Sequence, residues 1–124
     1  MVVGAKSRSS YALFEQAVER TPEATAVVDL ASGERFTYRE LQQRVRRVAN
    51  GLLDRGVGHG DRVAVCLRNR PEHVVVFLAT QAIGAVEVPF NFRLARDGVQ
   101  YTLNDADPSL LIYGPDIAAD VASL

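Results

Sequence analysis

Asp61-Arg62-Val63-Ala64-Val65-Cys66-Leu67, then Arg68-Asn69-Arg70-Pro71, then Glu72 to Ile83 and Gly84, then Ala85-Val86-Glu87-Val88-Pro89-Phe90 and Asn91-Phe92-Arg93: this continuous stretch decides the fold. It reads as a short apolar run, a polar loop, a longer apolar run and a second short run. That is the pattern of strand, crossover helix and parallel strand. Parallel strands need such a crossover, and they are usually covered on both faces, so they read as near-continuous apolar runs. Both short runs do. The predicted helix between them carries Val74, Val75, Val76, Phe77, Leu78, Ala79, Ala82 and Ile83. A helix apolar on nearly every side belongs inside a larger structure, and a chain of 124 residues has little with which to cover it.

Moving outward, Leu94 to Asp105 is a predicted helix, weakened by Gly98 and broken at Asp107-Pro108. Leu110-Leu111-Ile112-Tyr113 is a third predicted parallel strand, and Asp116 to Leu124 starts another helix. Upstream, residues 1–9 are small, polar and basic, and read as a flexible arm. The folded unit is expected over residues 10–124. Ser10 is placed to cap a helix with Leu13, Phe14, Ala17 and Val18 on one side, ending by Arg20 ahead of Thr21-Pro22. Ala24 to Leu30, a Ser32-Gly33 turn and Glu34-Arg35-Phe36 form a predicted β-hairpin.

Phe36-Thr37-Tyr38-Arg39-Glu40-Leu41 carries the sharpest local signal. Thr37 is a good N-cap, and the Glu40 carboxylate three residues later can reach back to the Thr37 amide, which makes a capping box. Phe36 and Leu41 stand at the two positions of a hydrophobic staple. Leu41, Val45, Val48 and Leu52 then mark one helical face. Arg44, Arg46 and Arg47 lie mostly off it and read as a solvated face. Gly56 is placed to end the helix. The glycines of Gly56-Val57-Gly58-His59-Gly60 close a helix and precede a strand. A phosphate loop does the reverse, following a strand and opening a helix. The run is therefore a turn, with His59 a solvated turn residue.

The totals exclude several function classes. A net charge of −1 leaves no basic footprint for nucleic acid or for an anionic membrane surface. No apolar stretch has the ~18 residues of a membrane span, and the first residues lack the apolar core of a signal peptide, so a cytoplasmic location is expected. The lone cysteine, Cys66, permits no internal disulfide and reads as a small buried core residue. His59 and His73 stand apart without close partners, and no cluster has metal-ligand spacing. No nucleophile has an adjacent base, and no catalytic residue is assigned.

Four stretches, in order, resemble the N-terminal portion of an AMP-forming acyl-CoA synthetase of the adenylate-forming, AMP-binding superfamily. Phe36 to Leu41 resembles the family's first core motif. Gly60-Asp61-Arg62-Val63-Ala64 matches its next segment in spacing. Ile83-Gly84-Ala85-Val86-Glu87-Val88-Pro89-Phe90-Asn91 resembles the second core motif, and Asn91-Phe92-Arg93-Leu94 continues it in the form of acyl-CoA and aryl-CoA ligases, where peptide-synthetase domains usually have Asp-Pro. The likeness covers about Leu13 to Tyr113. It implies an α/β fold: part of an N-terminal subdomain, with a β-hairpin and a mainly parallel sheet joined by crossover helices.

The resemblance also implies an activity. Such enzymes join a fatty or aromatic carboxylate to ATP as an acyl-adenylate, releasing pyrophosphate, and pass the acyl group to the thiol of coenzyme A. ATP, Mg2+ and coenzyme A are thus implied for an intact enzyme, and none for this chain. The family's phosphate loop, ribose-binding acid, magnesium-binding glutamate and catalytic lysine would all lie beyond Leu124. By the same resemblance, Arg93 holds a position near the nucleotide phosphates of coenzyme A; the bland alternative is that it pairs with an acid or is solvated. Thr37, Glu40, Gly84, Pro89 and Asn91 are motif residues that cap and shape the backbone.

On this reading the chain is the front of a ligase, inactive by itself, whose partner is the remainder of the synthetase. A second reading is a stand-alone interaction or assembly module, such as one part of a split enzyme or a remnant that binds a partner. An uncovered apolar surface or open strand edge would serve it, also through self-association. A third, a flavodoxin-like nucleotide binder, has the strand order but lacks a phosphate loop.

Overall fold

A computed structural model describes residues 9–91, 93, 94 and 96–124. Most of the predicted arm lies outside them. The elements run α1 (Ser10–Arg20), β1 (Thr25–Val28), β2 (Arg35–Thr37), α2 (Tyr38–Asp54), β3 (Arg62–Cys66), α3 (Pro71–Ala82), β4 (Val86–Pro89), α4 (Arg96–Ala106), β5 (Leu110–Tyr113), a 3-10 turn (Pro115–Ile117) and α5 (Ala118–Ala122). The architecture is α/β, as expected: β1 and β2 pair antiparallel, and a separate parallel sheet has the order β4-β3-β5.

Several predicted boundaries shift for identifiable reasons. Ser9, not Ser10, caps α1, its Oγ accepting from the Ala12 amide at 3.1 Å. Leu13 is 57% exposed while Phe14 and Val18 are buried, so the apolar face of α1 is narrower than expected. Pro71, expected in the loop, opens α3, where its missing N–H is no loss. On α2 the buried positions are Leu41, Val45, Ala49 and Leu52, with Val48 at the margin. Gly56 follows α2 at φ 85°, a left-handed conformation that suits glycine at a helix end.

The alternation of β3 explains the layering. Val63, Val65 and Leu67 belong to one core with Phe14 and Val18 of α1, Leu41, Val45 and Leu52 of α2, and Val75, Val76 and Ala79 of α3. Ala64 and Cys66 project the other way and are buried outside that cluster, as are Val99 of α4 and Ile117. The connection from β3 to β4 runs one way across the sheet, and that from β4 to β5 runs back past β3. Crossovers are almost always right-handed, so reversing direction moves the helix to the opposite face. The central strand is thereby covered on both sides, with Val63, Ala64 and Val65 at 0% exposure.

Cover is incomplete elsewhere. Val74 and Phe77 of α3 stay 38% and 37% exposed, so the apolar helix is not fully enclosed by these residues.

Candidate functional site

In open α/β sheets ligands sit just outside the carboxyl ends of the strands. Three loops meet there. Leu67 to Arg70 follows β3, Phe90, Asn91 and Arg93 come after β4, and Gly114 begins the turn after β5. Arg68 Nε lies 3.1 Å from Asp116 Oδ2, joining the first and third loops. After β4 the Asn91 side-chain oxygen accepts the Arg93 amide at 2.8 Å, and the Leu94 amide donates to the Asn91 carbonyl at 3.1 Å. Asn91 thus folds the chain back at the strand end and sets Arg93, exposed, on the rim.

The remaining motif residues shape this edge from below. Val86 and Phe90 donate their amides to Asp61 and Val65 of the β3 side, at 2.7 and 3.0 Å. Pro89, next to Phe90, therefore turns its missing N–H toward the open edge of β4, where no ladder bond is forfeited. Gly84 holds φ 73°, and a Cβ there would stand 2.8 Å from His59 Cδ2. Its carbonyl accepts the Gly60 amide at 2.8 Å, which locks the loop before β3 to the loop before β4. His59 is exposed, as expected, but its ring lies against Gly84.

Thr37 and Glu40 lie well away in sequence and form the full reciprocal box. Thr37 Oγ1 accepts the Glu40 amide at 3.1 Å, and Glu40 Oε1 accepts the Thr37 amide at 2.9 Å. These bonds hold the Glu40 carboxyl below the usual carboxylate range, the backbone amide being the main cause. Arg44, read as solvated, is exposed yet lies over the Phe36 ring, 4.2 Å from its centroid.

One expectation is overturned. His73 does have a close partner: its Nε2 lies 3.3 Å from Glu87 Oε1, the two side chains being 29% and 7% exposed. The pairing joins a helix to a strand whose mutual register no local pattern reveals. The available signal was Glu87 itself, a lone carboxylate inside an apolar strand, which demands a partner. Burial pushes the Glu87 carboxyl up from its ordinary value, and His73 pulls it partly back. Burial likewise raises the Cys66 thiol, with Asp116 adding to it. Among the described residues no group of three or more His, Cys, Asp or Glu side chains could hold a metal ion. No helix among them is long and apolar enough to cross a membrane.

Comparison with known proteins matches residues 14–123 to the AMP-binding enzyme family. A feruloyl-CoA synthase of Amycolatopsis sp is 44% identical over 104 residues, covering 84% of this chain and 21% of that protein. A medium/long-chain-fatty-acid–CoA/3-oxocholest-4-en-26-oate–CoA ligase of Mycobacterium marinum is 32% identical over 112 residues, covering 90% of this chain and 20% of that protein. The crystallised N-terminal domain of FACL13 from Mycobacterium tuberculosis superposes with a TM-score of 0.90 at 30% identity, covering 94% of this chain and 30% of that one. The chain therefore spans about a fifth of the length of the curated relatives it matches. It belongs to the AMP-binding enzyme family and corresponds to the N-terminal portion of acyl-CoA synthetases.

Proposed function

We propose that this sequence is the front of an ATP-dependent ligase that joins a fatty or aromatic acid to coenzyme A through an acyl-adenylate, and that residues 1–124 do not catalyse this alone. The observation that carries the reading is the continuous family match, which reaches from α1 to the last helix in the order of the motifs. The relatives' names supply the two acid classes.

Within this reading the described residues have a scaffold role. Thr37 and Glu40 fix the start of α2, Gly84 sets the entry to β4, and Asn91 sets its exit. Arg93 is the candidate contact to coenzyme A. Its guanidinium offers a fork of donors at the sheet's ligand-binding edge, which suits a phosphate. On the family resemblance, residues that hold the magnesium and the adenylate would come from later in such a polypeptide. ATP, when bound there, supplies the activating adenylyl group.

Carboxylate-dependent exchange between ATP and pyrophosphate is the test. Residues 1–124 should give background exchange, and robust exchange by them would overturn the claim of inactivity. Sequencing the coding DNA past codon 124 tests the larger claim. A frame that continues into a Ser/Thr/Gly-rich loop with Pro-Lys-Gly supports the ligase reading; a stop codon there sinks it. For Arg93, Arg93→Ala in the whole enzyme should raise the KM for coenzyme A and leave exchange intact. An unchanged KM removes Arg93 from that role.

A further inference from the structure

Beyond β4 the chain leaves the sheet at Asn91. Phe90 still donates its amide to the Val65 carbonyl of β3, at 3.0 Å. Two hydrogen bonds then tie Asn91 to residues that follow it. Its side-chain oxygen accepts the Arg93 amide at 2.8 Å, and its carbonyl accepts the Leu94 amide at 3.1 Å. The first is the bond of an Asx turn and the second the bond of a β-turn. Asn91 is exposed, as is Arg93. An exposed asparagine adds little to a core, so the distinct contribution of its side chain here is to hold the Arg93 backbone.

The identity of that side chain carries further information. Asparagine, aspartate, serine and threonine can all close such a turn, the hydroxyls more weakly. Aspartate would set a carboxylate close to the base of Arg93, where it would repel an incoming anion. Asparagine supplies the acceptor and no charge. That choice suits an arginine whose ligand is a phosphate. Such a contact also depends on placement, because a guanidinium binds phosphate through a fork of directed donors. A long side chain loses rotamer freedom when it binds, and a mobile backbone beneath it would add to that loss.

We propose that Asn91 is a positioning residue for coenzyme A: its side-chain oxygen fixes the Arg93 backbone so that the guanidinium meets the nucleotide phosphates, and its neutrality adds no competing charge beside them. The proposal rests on the ligase reading and on Arg93 as the coenzyme A contact. Asn91 acts through Arg93 and makes no contact with the ligand itself.

The test uses the whole polypeptide. Steady-state kinetics give kcat and the KM for coenzyme A in Arg93→Ala, Asn91→Ala, the double variant, Asn91→Ser and Asn91→Asp. Carboxylate-dependent ATP–pyrophosphate exchange, which uses no coenzyme A, shows separately whether each variant folds and forms the adenylate. Asn91→Ala should raise the KM about three- to tenfold with kcat changed less than about twofold, the scale of one hydrogen bond. Arg93→Ala should raise it at least as much. The double variant should be no worse than Arg93→Ala alone, because the turn then has no guanidinium to place. Asn91→Ser, which keeps a neutral acceptor, should lie between the parent and Asn91→Ala. Asn91→Asp keeps the turn and adds the charge, so its KM relative to the parent should be highest at low salt and fall as salt is added. Thr37→Ala removes a similar side-chain-to-backbone bond at the start of α2 and should leave this KM where it is.

An unchanged KM in Asn91→Ala, with that of Arg93→Ala raised, overturns the proposal and leaves the Arg93 reading standing. An unchanged KM in Arg93→Ala removes both. Additive losses in the double variant, or an equal rise in Thr37→Ala, give Asn91 a general structural role and overturn the proposal. Loss of exchange in Asn91→Ala and Asn91→Ser alike does so too. Where Asn91→Ala alone loses exchange, Asn91→Ser and Asn91→Asp decide, and a parental KM in both at low salt counts against it. Absence of exchange in the unsubstituted polypeptide sinks the ligase reading.

Discussion

Gly84 meets two demands at once. Its φ of 73° strains any residue with a Cβ, and that Cβ would press on the His59 ring at 2.8 Å. Gly84→Ala should therefore destabilise the fold by about 1–3 kcal/mol in urea unfolding. Adding His59→Ala should recover only part of that, because it removes the clash and leaves the backbone strain. Full recovery would mean that the ring alone forbids the side chain. Glu87 makes a prediction of a different kind. Its folded carboxyl titrates above its ordinary value, so between roughly pH 4.3 and that raised value the folded chain binds more protons than the unfolded one. Its contribution to stability is thus lost as pH rises through that window. Glu87→Gln carries no such titration. The stability of this variant relative to the parent should increase from pH 4 to pH 7, and parallel pH curves would disprove the burial effect. His73, Arg70 and Asp29 are the titratable or charged groups around it, on α3 and the two loops.

At the scale of elements, α2 shows what local chemistry can specify. Its capping box is complete, and both halves are written in six consecutive residues. Thr37→Ala should cost about 1 kcal/mol. The Glu40 half contributes above the ordinary carboxylate range and fades as pH falls through the depressed folded value, the opposite sign to Glu87. Leu52, 4% exposed, should cost ~2–5 kcal/mol on truncation to alanine. Its neighbour Leu53, 49% exposed, should cost no more than ~0.5 kcal/mol. Chemical denaturation checks both; similar costs would mean that the two faces of α2 had been misassigned.

What the sequence makes legible follows from range. The strand–helix–strand order, the hairpin, the capping box and the turn at Gly56 depend on neighbours within a few residues, and each can be read from pattern. Ser9 and Ser10 compete for one cap, and both are plausible N-caps, so only the backbone decides between them. His73 and Glu87 meet because α3 packs over β4 in one register, which no local spacing encodes. The site at the strand ends is legible as a place, through the parallel order. The side chains around it are not, because loops distant in sequence meet there only in three dimensions, as Arg68 and Asp116 do.

On the scale of the molecule, β3 is the strand on which all else converges. Val63 faces Glu87 on one side and Leu110 on the other, both distant along the chain. Contacts of that range close slowly, since the loop entropy comes due before the pairing stabilises anything. During synthesis from the N-terminus, α1, the hairpin and α2 emerge first and can pack on one another. The middle strand must then wait for its second neighbour, which is among the last residues of this piece to appear. Until Leu110 to Tyr113 arrive, one edge of β3 is an unpaired ladder beside apolar side chains. The strand that is best protected in the finished fold thus spends much of synthesis with one edge open.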